Sequence, residues 1–395
     1  MKAGITPRAE VAHLAPSFGV YVHIPYCVSR CPYCDFNTYV GIEDTAPEYV
    51  DALLHEADVC SIRAAGRTAG SIFLGGGTPS LLDPLLVERL LGGIRGAFRV
   101  APDAEVTMEA NPETVDKERL ARFRGAGVNR ISFGAQSFAP HVLRTLGRAH
   151  TAERTKEAVA DARAAGFENL NLDLIYGTPG ETPGDWARSL DEAIALEPEH
   201  ISAYSLTIEP GTAFGVAVSS GAMPAPDEDD QATKYEAALD VLGAGFSHYE
   251  ISNWARLGRA SRHNLVYWTQ GDYAGLGAGA HSHDDGERWW NIKLPRAYIA
   301  RAPGVRDAGE RLSPEARAGE WLQLRLRLVS GVPLAEMRAM TATPLDLDGE
   351  LETLAALGLV SVADDRLVLT RRGLLLESEV ARRLCATLAE PRIRV

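Results

Sequence analysis

Short apolar runs recur about every 30 residues through the first half of the chain, separated by helical patterns, and this is the spacing that βαβ units impose. The candidate strands are 19–24, 71–74, 105–109, 130–133, 171–175 and 200–206, and the candidate helices are 47–65, 82–98, 117–126, 152–165 and 183–196. Pro47 and Pro183 suit first-turn positions, where a missing N–H is harmless. Gly127 and Gly166 suit helix stops. Alternating strands and helices imply a parallel sheet with right-handed crossovers. Six units are too few for a complete eight-fold barrel, so the expected fold is α/β, a partial (β/α)6 barrel.

Ligands in barrels and open α/β sheets sit at the C-terminal ends of the strands. The unusual residues of this chain fall there. A cysteine loop follows the first candidate strand, Gly75-Gly-Gly-Thr78 the second and Glu109-Ala-Asn-Pro112 the third. Gln136-Ser137 follows the fourth, Asp173 ends the fifth, and Tyr204-Ser205 lie late in the sixth. The glycine run suits either a ligand meeting bare backbone or a tight turn. Glu109 and Asp173 could accept hydrogen bonds from an amine or from ribose hydroxyls, and charged residues at such positions are rarely core filler. Arg148 suits bidentate pairing with a carboxylate or a helix cap.

The cysteine loop reads Tyr21-Val-His-Ile-Pro-Tyr-Cys-Val-Ser-Arg-Cys-Pro-Tyr-Cys-Asp-Phe36, placing Cys27, Cys31 and Cys34 at C-x3-C-x2-C spacing with no fourth cysteine nearby. Five cysteines in 395 residues, an odd number without a secretory signal, argue against disulfides. A closed [4Fe–4S] cubane uses four thiolates. Three would leave one iron open to an exchangeable ligand, whereas zinc, with His23 in range as a fourth ligand, stays as the alternative. The net charge of −13 argues against nonspecific nucleic-acid binding. No run approaches the length of a membrane helix, so a cytoplasmic protein is expected.

The cysteine spacing is similar to that of the radical S-adenosylmethionine (SAM) superfamily. The resemblance implies that SAM binds the fourth iron and is cleaved to a 5'-deoxyadenosyl radical. The order of Tyr-x-His-Ile-Pro-Tyr-Cys, Gly-Gly-Gly-Thr-Pro-Ser, Glu-Ala-Asn-Pro, Gly-Ala-Gln-Ser-Phe, Leu-Gly-Arg-Ala-His and Asn-Leu-Asp-Leu-Ile-Tyr-Gly-Thr-Pro-Gly resembles the oxygen-independent coproporphyrinogen dehydrogenase-like branch. By that resemblance Tyr21, Gly76 and Glu109 would contact cluster-bound SAM. Tyr33, Gly77, Thr78, Gln136, Arg148, Asp173 and Ser205 would line an adjoining second ligand pocket.

The branch holds two classes: a coproporphyrinogen III dehydrogenase and the HemW-type heme chaperones. The dehydrogenase pattern carries a further cysteine where this chain has Phe36, and a longer N-terminal extension than the 26 residues before Cys27. Both departures resemble the chaperones, as does His263-Asn-Leu-Val-Tyr-Trp268, which fits the H-N-x-x-Y-W motif associated with them. Imidazole is the commonest protein ligand of heme iron, and Tyr267 and Trp268 offer flat faces to a macrocycle. The alternative is a hydrogen-bonded His263 with Tyr267 and Trp268 in the core. His281 and His283 are further candidate ligands. The implied partners are heme and heme-acceptor proteins, with respiratory-chain components as candidates. A radical enzyme acting on a tetrapyrrole stays open, with coproporphyrinogen dehydrogenation disfavoured.

Past about residue 308 the pattern changes to helices at 314–329, 333–340, 345–357 and 374–388, with short strands at 359–362 and 366–369. Helices followed by a hairpin and a last helix suggest a winged-helix-like module, which the resemblance would have close over the barrel mouth. The expected division is a flexible tail at 1–17, the barrel with its extension at 18–308, and a HemN-type helical domain at 309–395.

Overall fold

The computed structural model describes residues 12–340 and 344–388; the first eleven residues of the expected tail lie outside the described residues. Among the described residues twelve strands form one sheet. They are β1 (Phe18–Ile24), β2 (Ala69–Gly76), β3 (Val100–Ala110), β4 (Arg130–Gln136), β5 (Leu170–Tyr176), β6 (His200–Ser205), β7 (Ser247–Glu250), β8 (Asn253–Ala255), β9 (Asp272–Leu276), β10 (His281–Asp284), β11 (Glu287–Asn291) and β12 (Arg306–Arg311). Their order across the sheet is β12-β11-β10-β9-β1-β2-β3-β4-β5-β6-β8-β7. The six expected strands run parallel in sequence order, and β9 adds a seventh parallel strand beside β1. The run Asp-Tyr-Ala-Gly-Leu is too short and too glycine-rich to signal a strand by itself.

The strands alternate in a way that decides the architecture. Val20, Val22, Ile72, Leu74, Val106, Met108, Ile131, Phe133, Leu172 and Leu174 share one core with helix residues such as Leu53, Leu90, Phe123, Val159 and Trp186. Apart from Phe73, the intervening positions are mostly polar: Tyr21 and His23, Ser71, Glu105 and Glu109, Arg130 and Ser132, Asn171 and Asp173, His200 and Ser202. With a period of two, those residues occupy the opposite face. Helices therefore cover the apolar face, and the concave face is polar. Several of its buried polar groups bond one another, as burial favours: Asn171 Oδ1 contacts His200 Nδ1 at 2.6 Å, and Ser202 Oγ donates to the same oxygen at 3.2 Å.

Local signals set the covering helices. Asp83, Asp116 and Thr151 cap Pro84–Ala97, Lys117–Ala126 and Ala152–Ala164, while Thr182 and Asp185 form a capping box on Pro183–Ala195. Gly127 ends its helix at φ +105°.

A second core forms from Trp321, Leu322, Leu326, Leu347, Leu351, Leu354, Val380 and Leu384. It packs on a three-stranded sheet of β13 (Val332–Pro333), β14 (Val360–Ala363) and β15 (Arg366–Leu369), ordered β13-β15-β14. The succession helix, short strand, two helices, hairpin is winged-helix-like. The expected last helix is two, Arg371–Leu375 and Glu377–Leu388, parted at Leu376 where φ is −120° and ψ 26°. Among the described residues no helix is long and apolar enough to cross a membrane.

Candidate functional site

The loop after β1 returns on itself. Cys27 N–H donates to Tyr39 O at 3.0 Å, and Cys34 N–H donates to Cys31 O at 3.1 Å. Cys27, Cys31 and Cys34 are free thiols lining one cleft of about 430 Å³ at the C-terminal strand ends. Cys27 Sγ lies 3.6 Å from Thr78 Oγ1, and Arg148 donates to Cys31 Sγ at 3.6 Å. Burial pushes the Cys27 and Cys34 thiols up, so their ionisation needs positive charge, which iron and the Arg148 guanidinium would supply.

Among the described residues no three His, Cys, Asp or Glu gather closely enough for a single metal ion. His23 is also committed elsewhere: Nδ1 pairs with Tyr21 OH and Nε2 with Asn37 O, both at 2.9 Å. This geometry counts against zinc. Three thiols spread around a cleft beside a guanidinium fit a multi-iron cluster with one unprotected iron.

Tyr33, Gly77, Thr78, Gln136, Arg148, Asp173 and Ser205 all line the same cleft. Asp173 accepts from Ser132 Oγ at 2.7 Å and from Asn171 Nδ2 at 2.9 Å, one bond on each oxygen, so its carboxylate is held facing inward. Gln136 sits at φ +62°, past a register shift between Phe133 and Gln136; a left-handed non-glycine residue at a cleft is a strained, over-determined position. Arg148 donates to Gly134 O at 2.9 Å and bonds Asn111 Oδ1, so it is cleft wall rather than a surface helix cap. Asn111 and Ser132, not singled out in the sequence, hold Arg148 and Asp173; their signal is the polar alternation of β3 and β4.

A second cleft of about 290 Å³ adjoins the first, sharing Phe36, Gly76 and Glu109, and is also lined by Tyr21, His23, Tyr267, Tyr273 and His281. The positions carried over for SAM thus lie beside the cysteines, and the second-ligand positions lie across the first cleft. Glu109 Oε2 accepts the Gly76 N–H at 2.9 Å. Burial foremost, with Asp173 adding, raises the Glu109 carboxyl to about 7. The glycine run serves close packing as well as the cleft: a Cβ on Gly76, at φ +113°, would lie 2.4 Å from the His23 ring.

The H-N-x-x-Y-W segment forms the short helix Arg262–Trp268 across the polar face. Glu105 accepts the Arg262 and His263 N–H groups at 3.2 and 3.1 Å. His263 is 1 % exposed. Its Nδ1 contacts Ser71 Oγ and its Nε2 contacts Tyr267 OH, both at 2.9 Å. Burial lowers its pKa to about 3. In this structure His263 is a packed, doubly bonded ring, and neither nitrogen is presented to a ligand. Tyr267 borders the second cleft, and Tyr267 and Trp268 together line a further cleft of about 500 Å³ against the C-terminal module, where the Arg327 guanidinium lies 4.4 Å from the Trp268 ring centroid. His263 lines none of these clefts. His283 is committed as well, to Gly271 O and Gly286 N–H, each at 3.1 Å.

Among the described residues none beyond His281 lines the first or the second cleft. The C-terminal module instead flanks the sheet, with Arg327 NH2 bonded to Glu250 at 3.1 Å and Gln270 donating to Arg317 O at 3.1 Å. It does not close over the mouth in this structure; the charged surface of its first helix meets β7 and β10–β11 at the side.

Residues 21–193 match the Radical SAM superfamily, and residues 312–376 match the HemN C-terminal domain. The chain is 43% identical over 386 residues to the heme chaperone HemW of Mycobacterium tuberculosis, covering 95% of this chain and 97% of that one. It is 38% identical to HemW of Escherichia coli and 36% to HemW of Bacillus subtilis, covering 95% and 97% of those proteins. The structure resembles coproporphyrinogen III oxidase (HemN) of Escherichia coli, a radical SAM enzyme, with a TM-score of 0.80 at 24% identity, covering 96% of this chain and 91% of that one. That last likeness concerns the fold.

Proposed function

The chain belongs to the HemW family of radical SAM proteins, and on that premise we propose that it is a cytoplasmic heme chaperone that binds heme and passes it to acceptor proteins, respiratory-chain components among the candidates. Cys27, Cys31 and Cys34 would hold a [4Fe–4S] cluster. The observation that carries this reading is that the three thiols share one cleft, with Arg148 on Cys31 and Phe36, rather than a fourth thiol, at its rim.

When bound, the cluster and SAM supply a reducing centre with an exchangeable position. The chain's own residues do the holding. Glu109 would accept the amine of SAM, Tyr21 and Gly76 would flank it, and Arg148 would offset the negative charge of the thiolates. Tyr33, Gly77, Thr78, Gln136, Asp173 and Ser205 present a polar wall for a second ligand.

That second wall favours another reading, a radical enzyme acting on a tetrapyrrole, because the cleft has kept its ordered acceptor and donor groups. Anaerobically reconstituted protein with SAM and a reductant separates the two. Tight stoichiometric hemin binding by absorbance, with no decarboxylated product from coproporphyrinogen III by mass spectrometry, is expected. Turnover to protoporphyrinogen with weak hemin binding would overturn the chaperone reading. Cys31→Ala abolishes the cluster under either reading, so iron and sulfide content checks the cluster assignment alone.

A further inference from the structure

With His263, His283 and His23 all committed through both ring nitrogens, the imidazole left open to the site is His281. It is exposed at the edge of the second cleft, and among the described residues no hydrogen bond engages its ring. Its one ring contact is a stack on Trp290, at 5.5 Å between centroids, which fixes the ring plane without using a nitrogen. Burial first, then Lys293 and Arg288, push its pKa down, so the ring is neutral at physiological pH, the form that ligates iron.

The surroundings suit an apolar disc with carboxylates on one edge. Phe36 lines the same cleft and is 62% exposed, and Leu294, next to Lys293, is 60% exposed. Exposed apolar side chains beside a cleft are available to cover an apolar ligand. Lys293 is exposed, and its carbonyl is clamped by Asn37 Nδ2 at 2.9 Å and Tyr39 OH at 3.1 Å, which ties it to the cysteine loop that carries Phe36. Arg288 is already paired with Glu310 and Glu320, whereas among the described residues Lys293 makes no ion pair and can face an anionic group.

We propose that heme docks at the outer edge of the second cleft, with the His281 imidazole as axial ligand of the iron, Phe36 and Leu294 against the macrocycle, and the Lys293 ammonium facing a propionate. The proposal rests on the heme-chaperone reading and names the site that reading requires. It puts heme beside the SAM positions rather than on the H-N-x-x-Y-W segment, whose His263 serves the packing of Tyr267 against the cleft.

The test is hemin titration of reconstituted full-length protein, followed by Soret absorbance and electron paramagnetic resonance, for wild type, His281→Ala and His263→Gln. Wild type and His263→Gln are expected to show an imidazole-ligated spectrum. His281→Ala should lose it and weaken binding about tenfold or more, and added imidazole should restore the spectrum, which a purely structural role would not allow. Lys293→Glu should weaken binding while keeping the spectrum. An unchanged spectrum and affinity in His281→Ala would overturn the site and leave the chaperone reading standing. Failure of the wild-type protein to bind hemin would overturn both.

Discussion

In its proposed role Glu109 would couple SAM binding to pH. Its carboxyl stands at about 7, raised by burial and then by Asp173. In the proposed role the ionised form receives the SAM amine, so SAM affinity should fall as pH drops through 7, by up to about tenfold per unit. Glu109→Gln should give weak binding with a flat profile, read from SAM-dependent changes in the cluster's paramagnetic spectrum. Stability runs the other way. A carboxyl whose folded pKa is raised holds its proton more tightly in the folded state, so its contribution is full at low pH and is lost as pH rises through about 7. Thermal melts at pH 8 should therefore find Glu109→Gln more stable than wild type, by about 1–3 kcal/mol, since the amide oxygen can still accept the Gly76 N–H. At this scale the sequence made the cysteines, Glu109 and Asp173 legible, because thiols at fixed spacing and charges at strand ends have few structural uses. It did not make the access of each histidine legible. His263 carries the motif, yet whether an imidazole has a free nitrogen depends on neighbours such as Ser71, 192 residues away in the chain.

Two elements carry the site, and each has a single point of failure. The turn after β2 depends on Gly76, whose backbone lies at φ +113° against the His23 ring. Gly76→Ala should cost about 2 kcal/mol or more from strain and clash together and should lower cluster content after reconstitution, read as iron per chain. The helix Arg262–Trp268 has its N-terminus on the Glu105 carboxylate, which takes two of its free N–H groups. Glu105→Ala should destabilise by about 1–2 kcal/mol in chemical denaturation. The same change should leave cluster content near that of wild type, since Glu105 lies four residues below Glu109 on β3. The parallel strands were readable because each is an apolar run with a capped helix behind it. Strand β9 was not, because five residues with one glycine gain their identity only from pairing with β1. Strand β13 was missed for the same reason, being two residues held by β15.

For the molecule as a whole, the contacts between the barrel and the C-terminal module differ sharply in value. Glu250 is fully buried and pairs with Arg327, while Arg371 and Asp240 pair in the open. Arg327→Leu leaves a buried carboxylate without its cation and should lower stability by about 2–4 kcal/mol. Arg371→Ala should change it by less than about 1 kcal/mol; comparing the two melting temperatures checks both. The sequence by itself determined the alternation of strands and helices, the three-thiol loop and the change of pattern near residue 308, because periodicity, capping and residue chemistry act over a few neighbours. The tertiary structure alone decided that the strands turn a polar face inward, that the carried-over positions fall into two adjoining clefts, and that the C-terminal module flanks the sheet rather than covering its mouth. It alone decided which imidazole is left unbonded, since side-chain access is set by groups that meet only when distant segments pack.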